Sequence, residues 1–118
     1  VEDVVKFVRR EVRRGSRYAG IVLDPPSFGR GAKGEVWKIE DDLPELLAAC
    51  RGLLEAGPAF LLVSCHSPGF TPCVLLNLVR VCVAGAGGES AAGEMVVTAE
   101  PGGTDLPSGV YACWWREA

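Results

Sequence analysis

The sequence predicts an α/β layered domain whose sheet is mostly parallel and closes with an antiparallel hairpin. Three observations carry this reading. Residues 18–23 and 59–64 are short, nearly continuous apolar runs, the mark of strands buried on both faces. Segments with apolar residues at helical spacing lie beside and between them. The last two apolar runs, 95–100 and 110–115, are joined by a Gly/Pro-rich link with no helix, so they pair antiparallel or lie in separate places.

The elements follow in order. Val4, Val5, Val8 and Val12 recur at helical spacing, with Lys6, Arg9, Arg10, Arg13 and Arg14 between them. Glu2 and Asp3 suit the start of this helix of about four turns, and Gly15 suits its end. The run at 18–23 stops at Asp24-Pro25-Pro26, because two prolines cannot extend a ladder. Residues 27–40 hold three glycines together with Arg30, Lys33 and Lys38, and read as a mobile polar loop. Asp41 or Asp42 then caps a helix whose apolar face is Leu43, Leu46, Leu47, Cys50, Leu53 and Leu54, with Pro44 in its first turn. Gly57-Pro58 precedes the run at 59–64. Thr71-Pro72 opens a third helix through Leu75, Leu76, Leu78, Val79 and Cys82. Residues 84–93, rich in Gly, Ala and Ser, read as loose. The predicted order is α-β-α-β-α-β-β.

Composition narrows the class. The 118 residues suffice for one small domain, and 48% hydrophobic with 23% charged residues excludes intrinsic disorder. No apolar stretch approaches the roughly 20 residues of a membrane span. The start at Val1-Glu2-Asp3, with no initiator Met and no secretory pattern, reads as a piece of a longer protein. Five cysteines, an odd number without a C-x-x-C pair, point to reduced thiols in the cytoplasm, or in an organelle after import. A single histidine and no ligand spacing leave no metal expected. Residues 1–40 hold nine Lys/Arg against six Asp/Glu, a net +3, whereas residues 41–118 hold three against nine, a net −6. The chain is thus basic at its N-terminal third.

Asp24-Pro25-Pro26-Ser27-Phe28 is the strongest candidate site, because open α/β sheets bind ligands beyond the carboxyl ends of their strands. The carboxylate can orient a donor. The proline carbonyls, without local N–H partners, can accept from a substrate amine or hydroxyl. Phe28 can stack on a base, worth ~1–3 kcal/mol. A rigid turn with Phe28 in the core accounts for the same residues. A Walker B reading of residues 20–24 fails for want of a G-x-x-x-x-G-K-[ST] loop.

Ser64-Cys65-His66-Ser67 ends the next strand at the same sheet edge. There Cys65 is either a nucleophile activated by His66 or the following helix start, or a small buried space-filler. The arginines of the first helix read as a solvated face. Arg30, Lys33 and Lys38 read as loop charge or as phosphate contacts, and Trp37 as a loop anchor or a second stacking platform.

The succession Glu2-Asp3-Val4-Val5-Lys6-Phe7, then residues 17–28, then Ser64-Cys65-His66-Ser67, resembles the class I S-adenosylmethionine-dependent methyltransferases. It is most similar to the ribosomal RNA large-subunit group that forms 5-methylcytosine. The likeness runs over about residues 1–80, and the closing hairpin is consistent with the family's last two strands.

That resemblance implies a Rossmann-like sheet of which this chain supplies the fourth strand onward. It implies S-adenosylmethionine as cofactor, RNA (ribosomal in the first place) as partner, no membrane, and the missing N-terminal half of the same domain. Asp3 takes the adenine amine, and the Val4 N–H meets the ring. Asp24, Pro25, Pro26 and Phe28 hold the target base beside the methyl group, with Ser27, Arg30, Lys33 and Lys38 contacting the substrate. Cys65 stands where the 5-methylcytosine enzymes carry their nucleophile. The family's glycine-rich cofactor loop and ribose-binding acid have no counterpart in the chain. The expectation is therefore an enzyme fragment, inactive alone. The alternative is a non-catalytic RNA-binding or subunit-interaction module derived from such a half.

Overall fold

The computed structural model describes residues 3–118, so Glu2 lies outside the described residues. The elements are α1 (Val4–Arg13), β1 (Gly20–Leu23), β2 (Phe28–Arg30), β3 (Val36–Lys38), α2 (Ile39–Arg51), β4 (Ala59–Cys65), α3 (Pro72–Cys82), β5 (Glu89–Val97) and β6 (Leu106–Arg116). Asp3 starts α1 by accepting from the N–H groups of Val5 at 2.9 Å and Lys6 at 3.3 Å, donors with no partner inside the helix. The helix has ten residues, about three turns rather than four. Thr71 caps α3 in the same way, with Pro72 at its first position.

The main sheet has the order β1-β4-β6-β5. β1 runs parallel to β4, with Leu23 opposite Val63, whereas β6 is antiparallel to both β4 and β5. The expected mostly parallel sheet is therefore parallel only at its β1 side, among the described strands. Alternation along β4 places Ala59, Leu61, Val63 and Cys65 in the core with Leu43, Leu47, Leu75, Val79, Ala112 and Trp114. A second cluster, Val8, Leu46, Cys50 and Leu53, ties α1 to α2, and Ile21, Leu23 and Trp37 touch both clusters. Each fully buried Leu contributes about 1.5–3 kcal/mol.

The helices thus cover one face of the sheet. On the other, Val22 is 63% and Phe60 46% exposed, so the run expected to be buried on both faces is buried on one. No described strand pairs with the outer edge of β1.

Three further expectations are corrected. Residues 27–40 do not form a mobile loop. They make the antiparallel β2–β3 hairpin, with Phe28 opposite Lys38 and Arg30 opposite Val36. Tertiary contacts hold it: Trp37 Nε1 donates to the Pro26 carbonyl at 2.8 Å, and Lys6 pairs with Glu35 at 3.0 Å. α2 begins at Ile39 rather than after Asp41 or Asp42, because Asp42 reaches back to accept from the Lys38 N–H at 2.7 Å. Pro44 consequently lies inside the helix, past its first turn. Finally, β5 starts at Glu89, within the segment expected to be loose. Its small residues sit in register with β6, Ala91 opposite Cys113 and Gly93 opposite Tyr111. A Cβ at Gly93 would come within 3.1 Å of the Tyr111 ring, which accounts for the glycine.

Candidate active site

Parallel pairing brings the carboxyl tips of β1 and β4 side by side. The register that sets Leu23 against Val63 sets Asp24 against Ser64 one residue on, both pointing away from the core. Ser64 Oγ donates to Asp24 Oδ1 at 2.6 Å, and His66 Nε2 lies 3.4 Å from the same oxygen. Asp24 is open to solvent, its side chain 63% exposed. The hydroxyls of Ser27 and Ser67 share a hydrogen bond that links the loops after the two strands. Asp24, Ser27, Ser64, His66 and Ser67 therefore meet at one rim.

The proline carbonyls differ from one another. That of Pro26 already accepts from Trp37, so it is not available as expected, while no described residue donates to that of Pro25. Trp37 is thereby a loop anchor. β2 and β3 alternate, with Gly29 and Trp37 facing inward and Phe28, Arg30, Val36 and Lys38 outward. Phe28 is 50% exposed rather than packed in the core, and the Arg30 guanidinium lies over its ring at 5.7 Å. The hairpin thus presents an aromatic face and the cations Arg30 and Lys38 on one surface that begins at Asp24, with Lys33 exposed in its turn. The Lys6 amine is held above its ordinary pKa by hydrogen bonding to Glu35. The Glu35 carboxyl is held below its own, first by backbone N–H donors and then by Lys6.

Cys65 occupies the tip of β4, as the sequence suggested, but its side chain is on the core face. The residue is 1% exposed, and its Sγ accepts from the Ser67 N–H at 3.4 Å. The structure does not bring this thiol to the rim where Asp24 stands. Alternation through Ala59, Leu61 and Val63 was the sequence signal that could have placed it there.

At the other end, Asp3 uses only Oδ1 in capping α1, which leaves Oδ2 to accept from an amine, and the Val4 N–H is not used by the cap. Both groups fit the adenine contacts that the resemblance implies. Val4 also lines an apolar groove of about 270 Å³ between α1 and β1, together with Phe7, Val8, Ile21 and Leu53. Sequence reasoning missed Gly109. It has φ of 92°, and a Cβ there would stand 2.6 Å from both the Cys65 carbonyl and His66 Nδ1. No helix among the described residues is long and apolar enough to cross a membrane.

No protein-family model and no curated protein matches the chain. Solved structures do. The S-adenosylmethionine (SAM)-dependent methyltransferase from Agrobacterium tumefaciens is 39% identical, with a TM-score of 0.88 over 96% of this chain and 38% of its own. SMU.776, assigned as a methyltransferase and complexed with SAH, is 19% identical with a TM-score of 0.68, over 97% of this chain and 30% of its own. A protein from Streptococcus mutans assigned as SAM-dependent is 15% identical with a TM-score of 0.66, again over 97% and 30%. The chain therefore spans well under half the length of the structures it matches. Its mixed α/β sheet, its antiparallel C-terminal strands and these neighbours show that the chain carries part of the Rossmann-like fold of the class I S-adenosylmethionine-dependent methyltransferases.

Proposed function

We propose that this chain is the target-side part of a methyltransferase that modifies a base in RNA, with ribosomal RNA as the first candidate. The observation that carries the proposal is the exposed Asp24–Phe28 corner beside the Ser64–Ser67 tip. The cofactor, when bound, supplies an electrophilic methyl group. Asp3 and the Val4 N–H would hold its adenine, and Asp24 would stand near the transferred group. The rest of the cofactor pocket would come from a segment beyond this chain.

A base must leave its stack to reach such a corner. Phe28 offers the extruded base a flat face, and Arg30 and Lys38 offer charge to the flanking phosphates. If the attacking atom is an amino nitrogen, Asp24 and the Pro25 carbonyl accept its two N–H bonds. Its lone pair is then aimed at the methyl carbon. As the N–C bond forms, the surplus proton passes to Asp24 or to water.

A second reading keeps Cys65 as the nucleophile of 5-methylcytosine formation, and its place at the β4 tip beside Asp24 favours it. Addition of the thiolate to the ring carbon next to carbon 5 would make that carbon reactive. The burial of Sγ weighs towards the amine route.

The test is to express the full reading frame that contains this chain and incubate it with SAM and ribosomal RNA lacking the modification. Mass spectrometry of the digested nucleosides then reads the product. An N-methylated base supports the first reading and 5-methylcytosine the second. No methyl transfer to any RNA contradicts both.

A further inference from the structure

Asp24 is restrained at one oxygen only. Ser64 Oγ and His66 Nε2 both address Oδ1, at 2.6 and 3.4 Å, and no described residue bonds Oδ2. The imidazole is itself placed from behind by β6. Gly109 leaves no side chain where a Cβ would stand 2.6 Å from Nδ1 and 3.1 Å from Cε1. The strand that closes the sheet thus sets the ring, the ring and Ser64 set one carboxylate oxygen, and the other oxygen is presented outward.

We infer that Ser64, His66 and Gly109 orient Asp24 so that Oδ2 selects a target with an N–H donor, with His66 as a positioning residue. This deepens the proposed function and rests on it. An ionised carboxylate accepts hydrogen bonds and donates none. A base that presents an amino group to Oδ2 completes its coordination, whereas one that presents a carbonyl there sets two acceptors against each other. Sites built to hydrogen-bond a substrate group discriminate strongly against analogues without it. The substrate class is therefore a base with an exocyclic amine, of the cytosine or adenine kind.

His66 is the single histidine of the chain, so one imidazole signal reports on it by NMR. The groups that face it are the Asp24 carboxylate from β1, Ser64 on β4 and the Gly109 backbone on β6. Replacing Asp24 by Asn should lower the midpoint of this titration by about half a pH unit, the size of an exposed ion pair. Equal midpoints would overturn the inference, whatever the activity of the protein.

In the full reading frame, His66→Leu should lower kcat about tenfold with KM for SAM unchanged, and His66→Gln, which retains a donor towards Oδ1, should recover most of the loss. Gly109→Ala should match His66→Leu wherever its melting curve shows a folded protein; the His66 pair carries the test otherwise. A wild type that methylates with His66→Leu unchanged overturns this inference alone. A wild type without methyl transfer overturns the proposed function, and the NMR comparison still decides the geometry.

Discussion

Ser64 Oγ donates to Asp24 Oδ1 across the parallel pair of β1 and β4, at 2.6 Å. The bond exists because parallel register aligns two strand tips whose next residues point to the same side. It fixes the acid at the mouth of the site. The same alternation turns the neighbouring Cys65 into the core, so one strand end supplies a positioning hydroxyl and a packing thiol in consecutive residues.

Cys65→Ala is expected to keep methyl transfer within about threefold in the full reading frame. It should lower stability by about 1 kcal/mol, the cost of a small cavity. Denaturant melts and the transfer assay check both. A folded variant that loses over 100-fold of activity would restore the covalent route.

The Cys50 thiol provides a test in base. Burial, and secondarily Cys82, push its pKa from 9.0 up to about 12. The folded state therefore holds this proton where the unfolded chain releases it. Its contribution to stability is full below pH 9 and is lost as pH rises towards 12. Urea midpoints should be flat up to pH 9 and fall above it, and Cys50→Ala should flatten the fall.

The chain by itself should bind SAM weakly or not at all, because only the Asp3–Val4 end of the cofactor contacts and the Asp24 corner are present. Calorimetric titration should show no saturation at micromolar concentration. Micromolar binding would show that these residues suffice.

The open edge of β1 carries the sequence Gly-Ile-Val-Leu, and Val22 is exposed beside Phe60. Unpaired edges of this kind template association. Sedimentation of the isolated chain should show self-association that Val22→Lys reduces, with stability changed by less than about 0.5 kcal/mol. A wild-type monomer at all concentrations contradicts this.

Much of this fold is legible in the sequence, for identifiable reasons. Val4, Val8 and Val12 show a helix because one face must be apolar, and Thr71-Pro72 marks a start because its cap is local. The β2–β3 hairpin was not legible. Its strands are three residues long, and what orders them, the Trp37–Pro26 and Lys6–Glu35 contacts, joins residues far apart in sequence. The small residues of β5 carry no hydrophobic period, and only their partners on β6 make them a strand. At the site, the Asp24 corner was visible as a motif. The roles of Ser64 and Gly109 depend on which side of a strand a residue takes, and on a neighbour more than 40 residues away.

The most direct test compares wild type with Asp24→Asn in the full reading frame, measuring labelled methyl transfer from SAM to ribosomal RNA together with cofactor affinity. A fall of about 100-fold in transfer with affinity changed less than threefold is the predicted result. Equal transfer rates in the two proteins would contradict the assignment of this corner as the place where the base is held.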